Sequence, residues 1–203
     1  MKTKIFLLFA VLSFFGFTFL NGYAKSAKLK EPTGPESTLL MGRIQLIGSN
    51  FPRNSAVNGV HTKGITIDLK DETNNFIYVT SRGDDGLFYV ADPRFTHYRI
   101  VGLSIQLHES NVTWDIRYPT NDALTIQQNS VNNLGDILWR IDYGLSDTTE
   151  YKSRGPSQTR FSARIMIEYK MNYDEVKIWF EETYPKSVWI NKDWNEIQIR
   201  GEQ

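Results

Sequence analysis

Between Leu39 and Leu107, short runs of alternating apolar and polar residues are separated by glycine, asparagine and aspartate, and this period of two commits the segment to β-strands. Ile65, Ile67 and Leu69 alternate with Thr66, Asp68 and Lys70, the pattern of a strand with one wet face. Phe76–Thr80 and Leu87–Val90 follow as β-branched and aromatic runs, set apart by turns at Asp71–Asn75 and Gly83–Gly86. The spacing predicts a meander of antiparallel strands. Ile44 and Leu46 share one face of an earlier strand, and Asn50–Lys63, rich in Asn, Gly and Pro, reads as a long loop. Tyr98 and Ile100 fall on even positions but Leu103, Ile105 and Leu107 on odd ones, so a single buried face requires a β-bulge near Val101-Gly102.

Two further strands follow from Val112, Trp114 and Ile116 and from Ile137, Trp139 and Ile141, with Leu124–Gln128 a weaker candidate between them. Gly144–Thr159 is polar and holds Gly155-Pro156, the composition of an exposed excursion. Phe161, Ala163, Ile165, Ile167 and Tyr169 then alternate with polar residues in a long strand. Asn172 reads as a helix N-cap with Glu175 as its capping-box partner, and Val176, Trp179, Phe180 and Tyr184 form an apolar stripe that Pro185 stops. Ser187–Ile190 and Glu196–Arg200 are strand-like runs about an Asn191-Lys192-Asp193 turn, the pattern of a hairpin.

The N-terminus carries an address rather than a fold. Lys2 and Lys4 precede the apolar run Ile5–Leu20, which closes on Gly22, Tyr23 and Ala24, so residues 1–24 read as a cleavable export signal, shorter than the roughly 20 apolar residues that span a bilayer. Residues 25–37, broken by Pro32, Gly34 and Pro35, read as a flexible tether. The chain has no cysteine, so an exported domain of this length depends on an ordinary buried core. That usage suits a bacterial envelope better than an animal secretory pathway. The 23 basic and 23 acidic residues cancel, which leaves no strong field to draw the chain to nucleic acid or anionic membranes.

Gly42, Ile65-Thr66-Ile67, Thr80, Asp85-Gly86-Leu87-Phe88 and Tyr98-Arg99-Ile100, taken in order, resemble the carboxypeptidase-regulatory-like domains of the transthyretin-like β-sandwiches. The physical logic of that pattern is a glycine that accepts positive φ after aspartate and a phenylalanine that points into the sandwich. Where the family has a glycine before its tyrosine strand, this chain has Arg94-Phe95-Thr96-His97. The resemblance covers about a third of the chain and implies a non-catalytic accessory domain that supplies rigidity, spacing or a binding surface.

Catalytic and metal patterns are missing from the sequence. His61, His97 and His108 have none of the spacings that set zinc ligands on one face, no serine sits in a Gly-x-Ser-x-Gly elbow, and Asp84-Asp85-Gly86 lacks the spaced acids of a calcium loop. No metal, cofactor or catalytic residue is assigned. The carboxylate pairs Asp84/Asp85, Asp147/Glu150, Asp174/Glu175 and Glu181/Glu182 read as solvation and capping. Arg82-Gly83-Asp84 spells a short adhesion tripeptide at a turn, and Asn111-Val112-Thr113 a glycosylation sequon. Trp189 and Trp194 are the candidate ligand-binding residues, for either stands opposite in parity to its aliphatic neighbours, although core packing beneath the helix is the favoured role.

The expectation is a mainly β protein, with a transthyretin-like antiparallel sandwich over residues 38–143, a polar loop over 144–160 and a strand-helix-hairpin extension over 161–203. Its expected function is that of an exported accessory or binding protein, periplasmic or secreted, whose partner is an envelope protein or a glycan. No nucleic-acid partner and no membrane span after signal removal are expected. A hydrolase acting on glycans or peptides through a carboxylate pair, and a structural spacer or assembly module that self-associates through Phe76–Thr80 or another edge strand, are the alternatives.

Overall fold

The computed structural model describes residues 28–51, 55–109, 112–144, 149–152 and 160–201. The expected export signal, residues 1–24, and Asn111 of the expected sequon lie outside the described residues. The described chain forms two packed sheets and one helix. In chain order the strands are β1 (Leu39–Ser49), β2 (Gly59–His61), β3 (Thr66–Asp71), β4 (Phe76–Thr80), β5 (Leu87–Ala91), β6 (His97–Glu109), β7 (Val112–Thr125), β8 (Val131–Tyr143), β9 (Thr149–Lys152), β10 (Arg160–Lys170), β11 (Trp194–Glu196) and β12 (Arg200–Gly201), with helix α1 at Tyr173–Thr183. β2, β1, β8, β10 and β9 run in that order across a seven-stranded sheet, with β5 also on β1 and β11 also on β8. The second sheet has the order β12-β7-β6-β3-β4.

The alternating faces meet between the sheets. Leu40, Ile44 and Leu46 of β1 and Ile137, Trp139 and Ile141 of β8 pack against Ile67 and Leu69 of β3, Tyr98, Ile100, Leu103 and Ile105 of β6, and Trp114 and Ile116 of β7. The bulge demanded at Val101 is present, since the β6–β7 register slips between Ile100 and Gly102 and keeps both Ile100 and Leu103 inside. β7 continues through Pro119 to Thr125 and so absorbs the start of the weaker Leu124–Gln128 candidate.

The expected meander ends after the β3–β4 hairpin. β5 leaves that sheet and pairs with β1, because Leu87 and Phe88 are both buried and no strand with one wet face accommodates two such neighbours. Phe88 enters the inter-sheet core, while Leu87 enters a second core on the far side of the seven-stranded sheet. The strand pairings are antiparallel except for two: β8 runs parallel to β1 and to β11. Four strands of the second sheet, β3, β4, β6 and β7, lie between β1 and β8 in sequence, a connection long enough to permit parallel pairing.

The second core explains the C-terminal part of the chain. Val176 and Phe180 of α1, with Trp189, press on Leu39, Met41, Leu87 and Val131. Arg43 and Asp136, paired across β1 and β8, form a two-pronged ion pair at 2.7 and 2.8 Å, and the Arg43 guanidinium lies 5.1 Å from the Trp179 ring centre, which ties the helix to the sheet. Asn172 precedes the helix but does not form the expected capping box. Its amide instead accepts from the Asp136 N–H and donates to the Asp136 and Glu175 carboxylates. β10 pairs with β8 inside the sandwich, so residues 161–203 begin as part of it and not as an appended lobe. Within the expected polar loop, β9 pairs with β10.

Two other expectations are corrected. Val188–Asn191 is a 3-10 turn, capped by the Ser187 hydroxyl on the Trp189 N–H, while β11 joins the seven-stranded sheet and β12 the five-stranded one, so there is no hairpin. Residues 28–37 are no tether. Leu29 is buried in the second core, the Trp189 indole donates to the Lys30 carbonyl at 2.8 Å, Glu31 accepts from Ser187 and Val188, and Lys192 reaches the carbonyls of Gly34, Pro35 and Ser37. This stretch is a strap across the C-terminal segment.

One polar contact joins the two sheets through the core. The Tyr169 hydroxyl donates to Asp122 at 2.5 Å, and burial first, then that hydrogen bond and the Asp122 charge, push the phenol well above its ordinary value. The folded state therefore holds this proton after the unfolded chain has released it. Its contribution is intact below about pH 10 and is lost as the pH rises beyond it. Tyr169→Phe is expected to cost about 1–3 kcal/mol at neutral pH, by stranding Asp122. It should also make the alkaline fall in stability shallower than in the wild type. Urea unfolding at pH 7 and pH 10.5 checks both, and an unchanged alkaline slope would remove Tyr169 from that role.

Candidate functional site

The outer face of the five-stranded sheet presents the candidate site. Residues paired across neighbouring strands share a face, and the registers Phe76↔Lys70, Lys70↔Arg99, Arg99↔Ala123 and Ala123↔Arg200 draw one row across all five strands. Their sequence neighbours Ile77, Leu69, Ile100 and Leu124 point the other way, into the core. Above this row a cleft of about 610 Å³ opens between the β3–β4 turn and β6–β7, lined by Lys70, Glu72, Asn74, His97, Arg99, Asn121 and Thr125, among others.

The β3–β4 turn that walls the cleft is held by Asp71. Its carboxylate accepts the N–H groups of Thr73 and Asn75, the Thr73 hydroxyl and the Asn75 amide. Burial alone would raise this carboxyl, but those hydrogen bonds outweigh it and hold Asp71 below the usual carboxylate range. Across the cleft, Arg99 donates to Asn121 at 3.1 Å, and His97 Nδ1 lies 3.4 Å from Glu72. Beside it on the same face, Asp68 is raised by burial, an effect that the Arg117 charge only partly offsets.

Phe76 and Tyr78 stand on this face at the edge strand β4. They are 51% and 67% exposed, with ring centres 6.1 Å apart and planes within 11° of parallel. The Lys70 ammonium lies 5.8 Å from the Phe76 ring centre. Neither aromatic contributes to the core, which Ile77 and Val79 supply from the opposite side of the same strand. The signal was present in the sequence, because Phe76 and Tyr78 share the wet parity, but an edge strand was the only use it suggested.

The residues singled out from the sequence fall elsewhere. Trp189 is fully buried beneath α1 and offers no face to a ligand, because its strand parity gives way to a 3-10 turn that drives the ring inward. Trp194 is half-buried, edge-on to Phe180 at 5.2 Å, and borders a smaller cleft of about 210 Å³ with Lys177 and Tyr173. Trp194 Nε1 and Asn195 Nδ2 are buried there without a hydrogen-bond partner among the described residues, but as successive strand residues they point to opposite faces. Arg82, Gly83 and Asp84 sit in the connection between the sheets. Arg82 lies over Tyr89 and Asp84 pairs with Lys63. His61, His97 and His108 are on β2 and at opposite ends of β6, and among the described residues no three His, Asp or Glu side chains gather as a metal site. No described helix is long and apolar enough to cross a membrane.

No protein-family model, curated protein or solved structure matches this chain. The site's own geometry therefore carries the functional reading.

Proposed function

We propose that this chain is an exported, non-catalytic binding protein of the bacterial cell envelope, and that it takes its ligand on the outer face of the five-stranded sheet. The observation that carries this reading is the exposed pair Phe76 and Tyr78 beside the 610 Å³ cleft. Large aromatic rings held in water on a strand whose other face is core cost solvation and contribute nothing to packing, so they mark a contact surface. The carboxylates in the cleft support binding over hydrolysis. Among the described residues that line the cleft, Asp71 is occupied by its turn and Glu72 faces His97, so no two free carboxylates stand across it from each other. The resemblance of residues 39–107 to carboxypeptidase-regulatory-like domains supports the same accessory role.

The spacer alternative has one specific observation in its favour. β4 is an edge strand of uncharged residues without proline, the kind that pairs with another copy. A Phe76→Ala/Tyr78→Ala double variant separates the two readings. Screened against glycan and peptide arrays, the wild type should retain a ligand that the double variant loses by at least tenfold, with an unchanged melting temperature. A ligand retained equally by both proteins would place the site elsewhere. Concentration-dependent dimerisation of the wild type, with no ligand found, would favour the spacer.

A further inference from the structure

Resting on the reading of this face as a binding surface, we infer that its ligand is an anionic glycan, a linear chain of pyranose rings bearing carboxylate or sulfate groups. The acid groups seat along Lys70, Arg99 and Arg200, and a sugar ring lies against Phe76 and Tyr78. The first reason is electrostatic. Lys70 and Arg99 stand directly opposite each other on β3 and β6, an arrangement of like charges that weakens a sheet. Arg200 continues the same row on β12. Three cations along one line of a chain whose 23 basic and 23 acidic residues cancel are a local bias that the composition as a whole does not require. The acids on this face have partners of their own: Glu72 lies beside His97, Asp71 accepts the N–H groups of its turn, and Asp68 feels the Arg117 charge.

The second reason is spacing. The row crosses four strand intervals, about 19 Å, and Arg99 and Arg200 are two intervals apart, about 10 Å. That is about the length of a disaccharide unit, so acid groups two sugars apart meet Arg99 and Arg200, while Lys70, one interval or about 5 Å from Arg99, meets the acid of a neighbouring sugar. The third reason is the apolar end of the row. Near-parallel aromatic faces stack on the C–H faces of a pyranose, and Asn121 and Asn74 supply amide groups along the cleft for ring hydroxyls. A single-stranded nucleic acid also pairs charge with stacking. It needs aromatic faces for successive bases along its length, whereas here both rings stand together at one end of the row, which makes it the poorer match.

The test is calorimetric titration of residues 25–203 with four probes: oligogalacturonate, a heparin oligosaccharide, a neutral cello-oligosaccharide and an oligothymidylate of equal charge. Expected is binding of at least one anionic glycan, weakened at least tenfold by Lys70→Gln/Arg99→Gln and at least fivefold by Phe76→Ala/Tyr78→Ala, and reduced by added salt. The neutral glycan should bind at least tenfold more weakly. Equal or tighter binding of the neutral glycan or of the oligonucleotide, lost in the Phe76/Tyr78 variant, overturns the anionic glycan while the binding face stands. Binding of any probe that neither double variant alters overturns the binding face itself. No binding of either anionic glycan at millimolar concentration overturns the inference.

Discussion

Trp189→Ala is expected to destabilise the protein by about 3–5 kcal/mol, the range for emptying a large buried aromatic site. For a chain of this size that corresponds to a fall in melting temperature of roughly 10 °C. The effect is large because Trp189 serves two layers at once. Its ring fills the second core between Leu39, Met41 and Phe180, and its indole N–H holds the Lys30 carbonyl and with it the N-terminal strap. The strap should therefore lose protection together with the core. Amide exchange across residues 28–37 should rise in the variant, whereas Val188→Ala, at an exposed neighbour, should stay within about 0.5 kcal/mol of the wild type and leave exchange unchanged. If residues 28–37 stay protected in Trp189→Ala, the contacts from Glu31 and Lys192 hold the strap without the indole.

That dual role marks the limit of what the sequence made legible. β3, β4 and the bulge at Val101 were readable because each depends on alternation within a few residues, and a slipped parity is itself the signal of a bulge. The parallel pairing of β1 with β8 was not. Nothing local in Leu39–Ser49 records which distant strand lies beside it, and the both-sided burial of Leu39, Leu40 and Met41 reads equally well as the start of an ordinary strand. Val188, Trp189 and Ile190 misled for a related reason. A period of two in three residues is too short to distinguish a strand from a 3-10 turn, and the Ser187 cap decided in favour of the turn. The strap was hidden behind Pro32, Gly34 and Pro35, whose composition signals irregular backbone. Whether an irregular segment is docked depends on partners, here Trp189 and Lys192, more than 150 residues away in sequence.

The candidate site was legible in its parts and not in its assembly. Parity placed Lys70 on a wet face and carries enough signal to place Phe76 and Tyr78 there too, but the row through Arg99 and Arg200 exists only because β6, β7 and β12 align in one particular register. Tryptophan drew attention to Trp189 and Trp194 instead, since their parity opposed that of their aliphatic neighbours and tryptophan is among the residues enriched at contact surfaces. Size makes tryptophan equally apt for a core, and at Trp189 the apolar stripe of α1 supplied that core.

Gly86→Ala tests the junction on which both sheets depend. Gly64 and Gly86 have the same φ, +75°, so an alanine at either meets the same left-handed strain, about 1–2 kcal/mol. They differ in surroundings. A Cβ at Gly64 meets nothing within 4 Å, whereas one at Gly86 falls 2.2 Å from the Ile44 carbonyl oxygen, because the Ile44 N–H donates to the Gly86 carbonyl and draws the two backbones together. Relief requires breaking that hydrogen bond and shifting β5 away from β1. Gly86→Ala should thus cost about 3–5 kcal/mol, at least 2 more than Gly64→Ala, in matched urea denaturation. The same close approach sets Gly42 opposite Phe88, whose ring would lie 2.8 Å from a Cβ at Gly42. The glycine of the first strand and the phenylalanine after the Asp-Gly turn are thus one packing unit, joined by the passage of the chain from the five-stranded to the seven-stranded sheet. Equal costs at Gly64 and Gly86 would mean that β5 does not approach β1 this closely, and the crossing between sheets would have to be redrawn.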